Sequence, residues 1–99
     1  SFSSDNDLEN ISSNEEINLI KGYRVQIVIS QNEKELQDVK IEIEKSIDEQ
    51  TYIIFELPNY KLRVGNFLNR KEAENFQKKI VRLGYRTAWV VPTMIEKED

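Results

Sequence analysis

The sequence predicts an α+β domain of order βαββαβ, ferredoxin-like in plan. Its four-stranded antiparallel sheet has the strand order 4-1-3-2, with two helices on one face. Two observations carry this. First, the chain states one plan twice. "YRVQIVISQNEKELQDV" at 23–39 and "YKLRVGNFLNRKEAENF" at 60–76 align at an offset of 37 residues, setting Tyr23 on Tyr60, Val25 on Leu62, Ile27 on Val64, Asn32 on Asn69 and Ile43 on Ile80. Second, within each copy the apolar period changes from two to three-and-four, the passage from strand to helix. A strand and its helix cannot bury their apolar faces alone, but two such halves interlock around one core.

The first twenty residues hold five acids, no base and only Phe2, Leu8, Ile11, Ile17, Leu19 and Ile20 as apolar residues. Such a segment buries too little apolar surface to offset its ordering entropy, so 1–20 is expected to be a flexible acidic tail or linker. A short amphipathic helix at 14–21 stays open as an alternative. The domain proper is expected over 21–95, with a charged end at 96–99.

Residues 23–29, "YRVQIVI", read as the first strand. Alternation puts Tyr23, Val25, Ile27 and Ile29 on the helix-packed face and Arg24, Gln26 and Val28 on the other. Leu36, Val39, Ile43 and Ile47 then form one helical stripe, from which Ile41 departs. Asn32 is its N-cap, with Glu35 as capping-box partner. "TYIIFEL" at 51–57 is the second strand. Two parities are open: Ile53, Phe55 and Leu57 toward the helices, which is favoured, or Tyr52, Ile54 and Glu56. Pro58 and Asn59 supply turn chemistry.

The third strand, 60–65, turns Tyr60, Leu62 and Val64 inward and Lys61 and Arg63 outward, and Gly65 is expected to end it. Asn69 and Glu72 open the second helix, with Leu68 and Ala73 at staple positions. Ala73, Phe76, Ile80 and Leu83 make its stripe. Gly84 is expected as a left-handed cap, with Tyr85 folding back on Ile80. The last strand is read at 86–92, ending at Pro92, with Trp89 and Val91 on the uncovered face.

The net charge of −4 hides an uneven distribution. Residues 58–95 carry eight bases and two acids, whereas 21–57 carry five bases and eight acids. A mildly basic second half suits an anionic polymer, although a solvated charged surface gives the same count. The pairs Arg70–Lys71 and Lys78–Lys79 are read as solvated helix faces. Neither cysteine nor histidine occurs. Disulfides, thiolate metal sites and imidazole chemistry are thereby excluded, and no cofactor is expected. No run is apolar or long enough for a membrane span.

"YRVQI", "YKLRVGNF", "EAENF" and "GYRTAWVVP", in this order over 22–92, together resemble a SPOR (sporulation-related repeat) domain. The resemblance implies a non-catalytic peptidoglycan-binding module of this fold. Its partner would be glycan strands stripped of their stem peptides, as arise at division septa. It also implies a bacterial cell-envelope location, periplasmic and exported, with any signal or anchor outside this chain. Gln26 matches the family's first-strand glutamine, Arg63 the basic position of its "V-R-V-G" strand, and Trp89 an exposed aromatic of the last strand. Arg24, Val28 and Lys61 complete the expected glycan face. The chain departs from the family at Val28 and Ile29, where small residues are usual, and at Asn66, where proline is common.

Amide and guanidinium groups suit sugar hydroxyl and N-acetyl oxygens, and an aromatic ring suits the apolar face of a sugar. Each candidate has a plainer reading. Gln26 could be an ordinary solvent-facing residue, Arg63 an ion-pair partner of Glu56, and Trp89 a core residue. Tyr23, Tyr60, Tyr85 and Phe76 are read as packing residues.

RNA binding of the RRM type shares the element order but stacks bases on aromatics of the two central strands. None is expected on the open positions here, so no nucleic-acid partner is expected. A protein-binding or regulatory ferredoxin-like module is the other alternative. Acid–base catalysis is disfavoured, since the carboxylates lie mainly on helix surfaces and in the tail. The domain is expected to be a monomer with no membrane contact of its own.

Overall fold

Alternation in the strands and three-four spacing in the helices produce the expected elements. The computed structural model describes residues 18–97. In chain order these are β1 (Leu19–Ser30), α1 (Glu33–Glu44), β2 (Thr51–Glu56), β3 (Asn59–Phe67), α2 (Arg70–Arg82) and β4 (Trp89–Glu96). The sheet order is β2-β3-β1-β4, antiparallel throughout, which is the predicted order read from the opposite edge. No helix among the described residues is long and apolar enough to cross a membrane. The expectations for 1–17, tail or helix, fall outside the described residues. Leu19 and Ile20 already belong to β1.

Both helices start where the sequence places them. The Asn32 side chain accepts from Lys34 N–H, and that of Asn69 from Glu72 N–H, each at 2.9 Å. At α1 the reciprocal half of the box runs through Ser30. Its Oγ accepts from Asn32 N–H at 3.0 Å and donates to Glu35 at 3.2 Å. Leu68 does not close a staple, being 65% exposed.

The C-terminus of α2 is a Schellman turn: Tyr85 N–H donates to Ile80 O and Gly84 N–H to Val81 O, with Gly84 at φ +113°. Leu83, expected in the stripe, caps the helix and stays exposed. The core joins Val25, Ile27, Leu62, Val64 and Val90 of the sheet to Leu36, Ile43, Ala73, Phe76 and Ile80 of the helices. Each Val, Leu, Ile or Phe side chain among them contributes about 1.5–3 kcal/mol through burial. Tyr23, Tyr60 and Tyr85 pack against it, as expected.

The central ladder holds two irregularities. Tyr23 pairs with Phe67 but Val25 with Val64, so β3 carries one extra residue at Gly65–Asn66. Gln26 pairs with Arg63 but Val28 with Leu62, so β1 carries one extra residue at Ile27. These are β-bulges, and each reverses the facing of the residues beyond it. Val28 therefore shares the helix side with Leu62 and packs on the core, while Ile29 turns outward beside Lys61 and is 48% exposed. Both residues sit opposite to simple alternation.

Gly65 does not end β3. It sits at φ +86°, and the strand continues to Phe67, whose ring reaches the Phe76 ring at a 5.3 Å centroid distance. Nor does β4 stop at Pro92, which pairs with Tyr23 while the ladder continues to Glu96. An edge strand tolerates proline because its outward side has no ladder bond to lose. The start of β4 moves too: Arg86 and Thr87, expected in the strand, lie in a turn.

Replacing either positive-φ glycine by alanine is expected to destabilise the domain. Gly84→Ala should cost about 1–2 kcal/mol, from backbone strain alone, since no atom lies within 4 Å of the added Cβ. Gly65→Ala should cost more, because its Cβ runs into the Phe67 ring. Urea titrations of the two variants check this; equal midpoints would remove the packing role assigned to Gly65. Asn69→Ala should lose about 1 kcal/mol and Asn69→Ser should retain most of it, measured by the same titration.

Candidate functional site

Both helices cover one side of the sheet and leave the other open. Cross-strand partners share a face, so the register identifies the residues of the open side. Tyr52 lies opposite Arg63, Arg63 opposite Gln26, and Gln26 opposite Trp89. These four residues form one row across all four strands, about 14 Å long at ordinary strand spacing. A second row holds Ile54, Lys61 and Ile29, and on the other side Arg24 lies opposite Val91.

The structure brings together Gln26, Arg63, Trp89, Arg24 and Lys61 on this side and removes Val28. The bulge at Ile27 is the reason, and Ile29 takes the expected place of Val28. Trp89 is 56% exposed, so it is not a core residue. Gln26 is only 3% exposed. Its Oε1 accepts from Arg63 Nε at 3.0 Å, which fixes the guanidinium plane. Among the described residues its amide nitrogen has no side-chain partner, and no buried side-chain polar atom is unsatisfied.

Arg63 does not pair with Glu56. Lys61 does, at 2.6 Å. That hydrogen bond, aided by the charges of Lys61 and Arg63, holds the Glu56 carboxyl below its ordinary range and ionised at neutral pH. Arg24 is buried to 9% exposure. Its Nε and Nη2 donate to Asn66 Oδ1 at 3.2 and 3.0 Å, and its guanidinium carbon lies 3.9 Å from the centroid of the Tyr52 ring. Asn66 Nδ2 donates to Tyr52 Oη at 2.6 Å and closes the cluster.

Sequence reasoning missed Tyr52, Asn66 and Ile29. For strand two both parities were open; the favoured one, with Ile53 and Phe55 toward the helices, is the one observed, and it sends Tyr52 to the open side. Leu57 lies in the hairpin turn beyond β2, before a cis proline, and is exposed. Asn66 reaches the open side only through the bulge at Gly65. A glycine inside a strand was the available signal for that bulge.

Beside Trp89 the face ends in a groove of about 260 Å³, lined by Gln26, Ile27, Val28, Ile29, Thr87 and Trp89, so Val28, though turned to the helix side, still borders the end of the face. It forms because β4 pairing begins at Trp89, opposite Gln26, leaving the end of β1 without a strand on that side. Thr87 Oγ1 donates to Ile27 O at 3.3 Å and occupies part of the vacant edge. Chemically, the whole face offers guanidinium and amide donors between two flanking aromatic rings. The two central strands bear no aromatic residue on it.

Comparison with known proteins gives three findings. A family model described as SPOR domain matches residues 20–92. No curated protein sequence matches the chain. Among solved structures, the chain is similar in fold to the peptidoglycan binding domain of the B. subtilis cell wall lytic enzyme CwlC, with a TM-score of 0.66 and 16% identity, over 80% of this chain and 98% of that one. Since the family match spans most of the sequence and both of its βα halves, the chain belongs to the SPOR domain family.

Proposed function

We propose that this domain binds peptidoglycan glycan strands, particularly those lacking stem peptides, through the open sheet face and without catalysis. It thereby directs an envelope protein to the cell wall or division septum. The observation that carries this reading is the row Tyr52–Arg63–Gln26–Trp89. A polysaccharide is a flat ribbon with apolar ring faces and polar edges. An exposed tryptophan supports the ring face, and the neighbouring amide and guanidinium donate to hydroxyl and N-acetyl oxygens. SPOR family membership and the fold shared with the CwlC domain, described as peptidoglycan binding, support the same reading. Single hydrogen bonds of this kind contribute only about 0.5–1.5 kcal/mol each. Affinity would thus come from the row acting together.

The chain should co-sediment with purified cell-wall sacculi, and digestion with an amidase that removes stem peptides should raise the bound fraction. If pelleting is the same with and without sacculi, the wall-binding reading is wrong. A single-stranded RNA titration serves as the control for the RRM-like alternative and should produce no saturable binding.

Trp89→Ala should weaken sacculus binding roughly three- to tenfold and leave the urea midpoint nearly unchanged, because the ring is mostly exposed. Gln26→Ala should weaken binding and also lower the midpoint, since it strips Arg63 of its acceptor. Wild-type binding by both variants would move the site off this face.

A further inference from the structure

We infer that the open face reads the carboxylate that a muramic acid residue exposes once its stem peptide is gone, and that Arg63 is the residue that meets it. This rests on the wall-binding reading above and adds the chemical group recognised.

The starting observation is electrostatic. The open face carries three cations, Arg24, Lys61 and Arg63, and among the described residues only Lys61 has a carboxylate partner, Glu56. Among the described residues neither arginine has a carboxylate within ion-pair distance. Arg24 is the more unusual of the two. A guanidinium at 9% exposure is costly to desolvate, yet its protein partners are a neutral amide and a tyrosine ring. Among the described residues its charge is held and oriented but not neutralised.

Arg63 sits one strand away, with Nε fixed by Gln26 Oε1. That bond commits one edge of the guanidinium to the protein and leaves the two terminal nitrogens to a ligand. The result is a face with a fixed positive potential, and a planar fork of donors set in the row beside Trp89. Guanidinium forks match carboxylates bidentately.

Stem peptides are joined to muramic acid through an amide to its lactyl group. While that amide is intact the group is neutral, and hydrolysis leaves a carboxylate at the same place. Stem peptides carry carboxylates of their own, but these leave with the peptide; the carboxylate that hydrolysis creates is fixed to the sugar, so each denuded muramic residue presents a negative charge beside its ring. The geometry offers a charge-based reason for a denuded strand to bind better, beyond relief of steric crowding. Lys61 contributes less, because Glu56 already offsets it.

The experiment uses the full 99-residue chain and sacculi freed of phosphate-bearing polymers by hydrofluoric acid, so that phosphate is not the anion measured. The sacculi are digested with amidase, and half are coupled to ethanolamine with a carbodiimide to neutralise the carboxylates. Wild type should bind the carboxylate form about tenfold more tightly than the neutralised form. Arg63→Gln should bind both forms equally, at the weaker level, and Arg63→Lys should keep part of the difference.

Urea midpoints establish that each variant is folded. Equal wild-type affinity for the two forms, or a full tenfold difference retained by Arg63→Gln, overturns the inference while leaving wall binding intact. Absence of wild-type binding to either form overturns the wall-binding reading and this inference together.

Discussion

The pairing of β1 with β3 is the constraint on which the rest of the molecule depends. These are the two central strands, and each lends one face to the core and the other to the open side. Whatever fixes their register decides which residues are packed and which are presented. Apolar burial fixes most of it, through Val25 opposite Val64 and Val28 opposite Leu62. Between these pairs lies a polar link of the ladder, Gln26 to Arg63. The core thus holds the candidate site in place from beneath, and the site residues need only bond sideways to one another.

Most of the architecture was legible because the chain repeats itself. Copies of a strand–helix unit must pack alike, so the repeat predicted element order, sheet order and both asparagine caps. It also predicted that Gln26 and Arg63, 37 positions apart, would be neighbours on the uncovered side, and there they share a hydrogen bond. Trp89 was legible as an exposed residue from alternation alone. Alternation fails only where the ladder adds a residue. At Ile27 nothing in the side chain marks a bulge, so Val28 and Ile29 were placed on the wrong sides. At Gly65 a glycine marked an irregularity, but a strand end and a bulge look the same in one dimension. Pro92 misled in a similar way: it stops a central strand and is harmless in an edge one.

The face is more preorganised than a list of polar residues implies. Gln26 serves mainly by positioning Arg63. Tyr52 and Asn66 hold Arg24 rigid from two sides. Groups already fixed lose little entropy on meeting a ligand. A row with a tyrosine at one edge and a tryptophan at the other also suits an extended ligand lying across the strands. The groove at the end of β1 continues the same face past Trp89.

The two bulges are opposite in sense. One adds a residue to β3 and the other to β1, so the pairing outside them falls back into step. Only the short stretch holding Val25, Gln26, Arg63 and Val64 is offset. Loss of one residue from either strand would therefore not remain local. It would leave the other slip uncompensated and turn a whole strand end over, exchanging packed for presented side chains. Sequence drift in this region is constrained to move in matched steps: an insertion in one strand is tolerable only with its counterpart in the other. That coupling makes spacing, as much as residue identity, a determinant of which side chains the face presents.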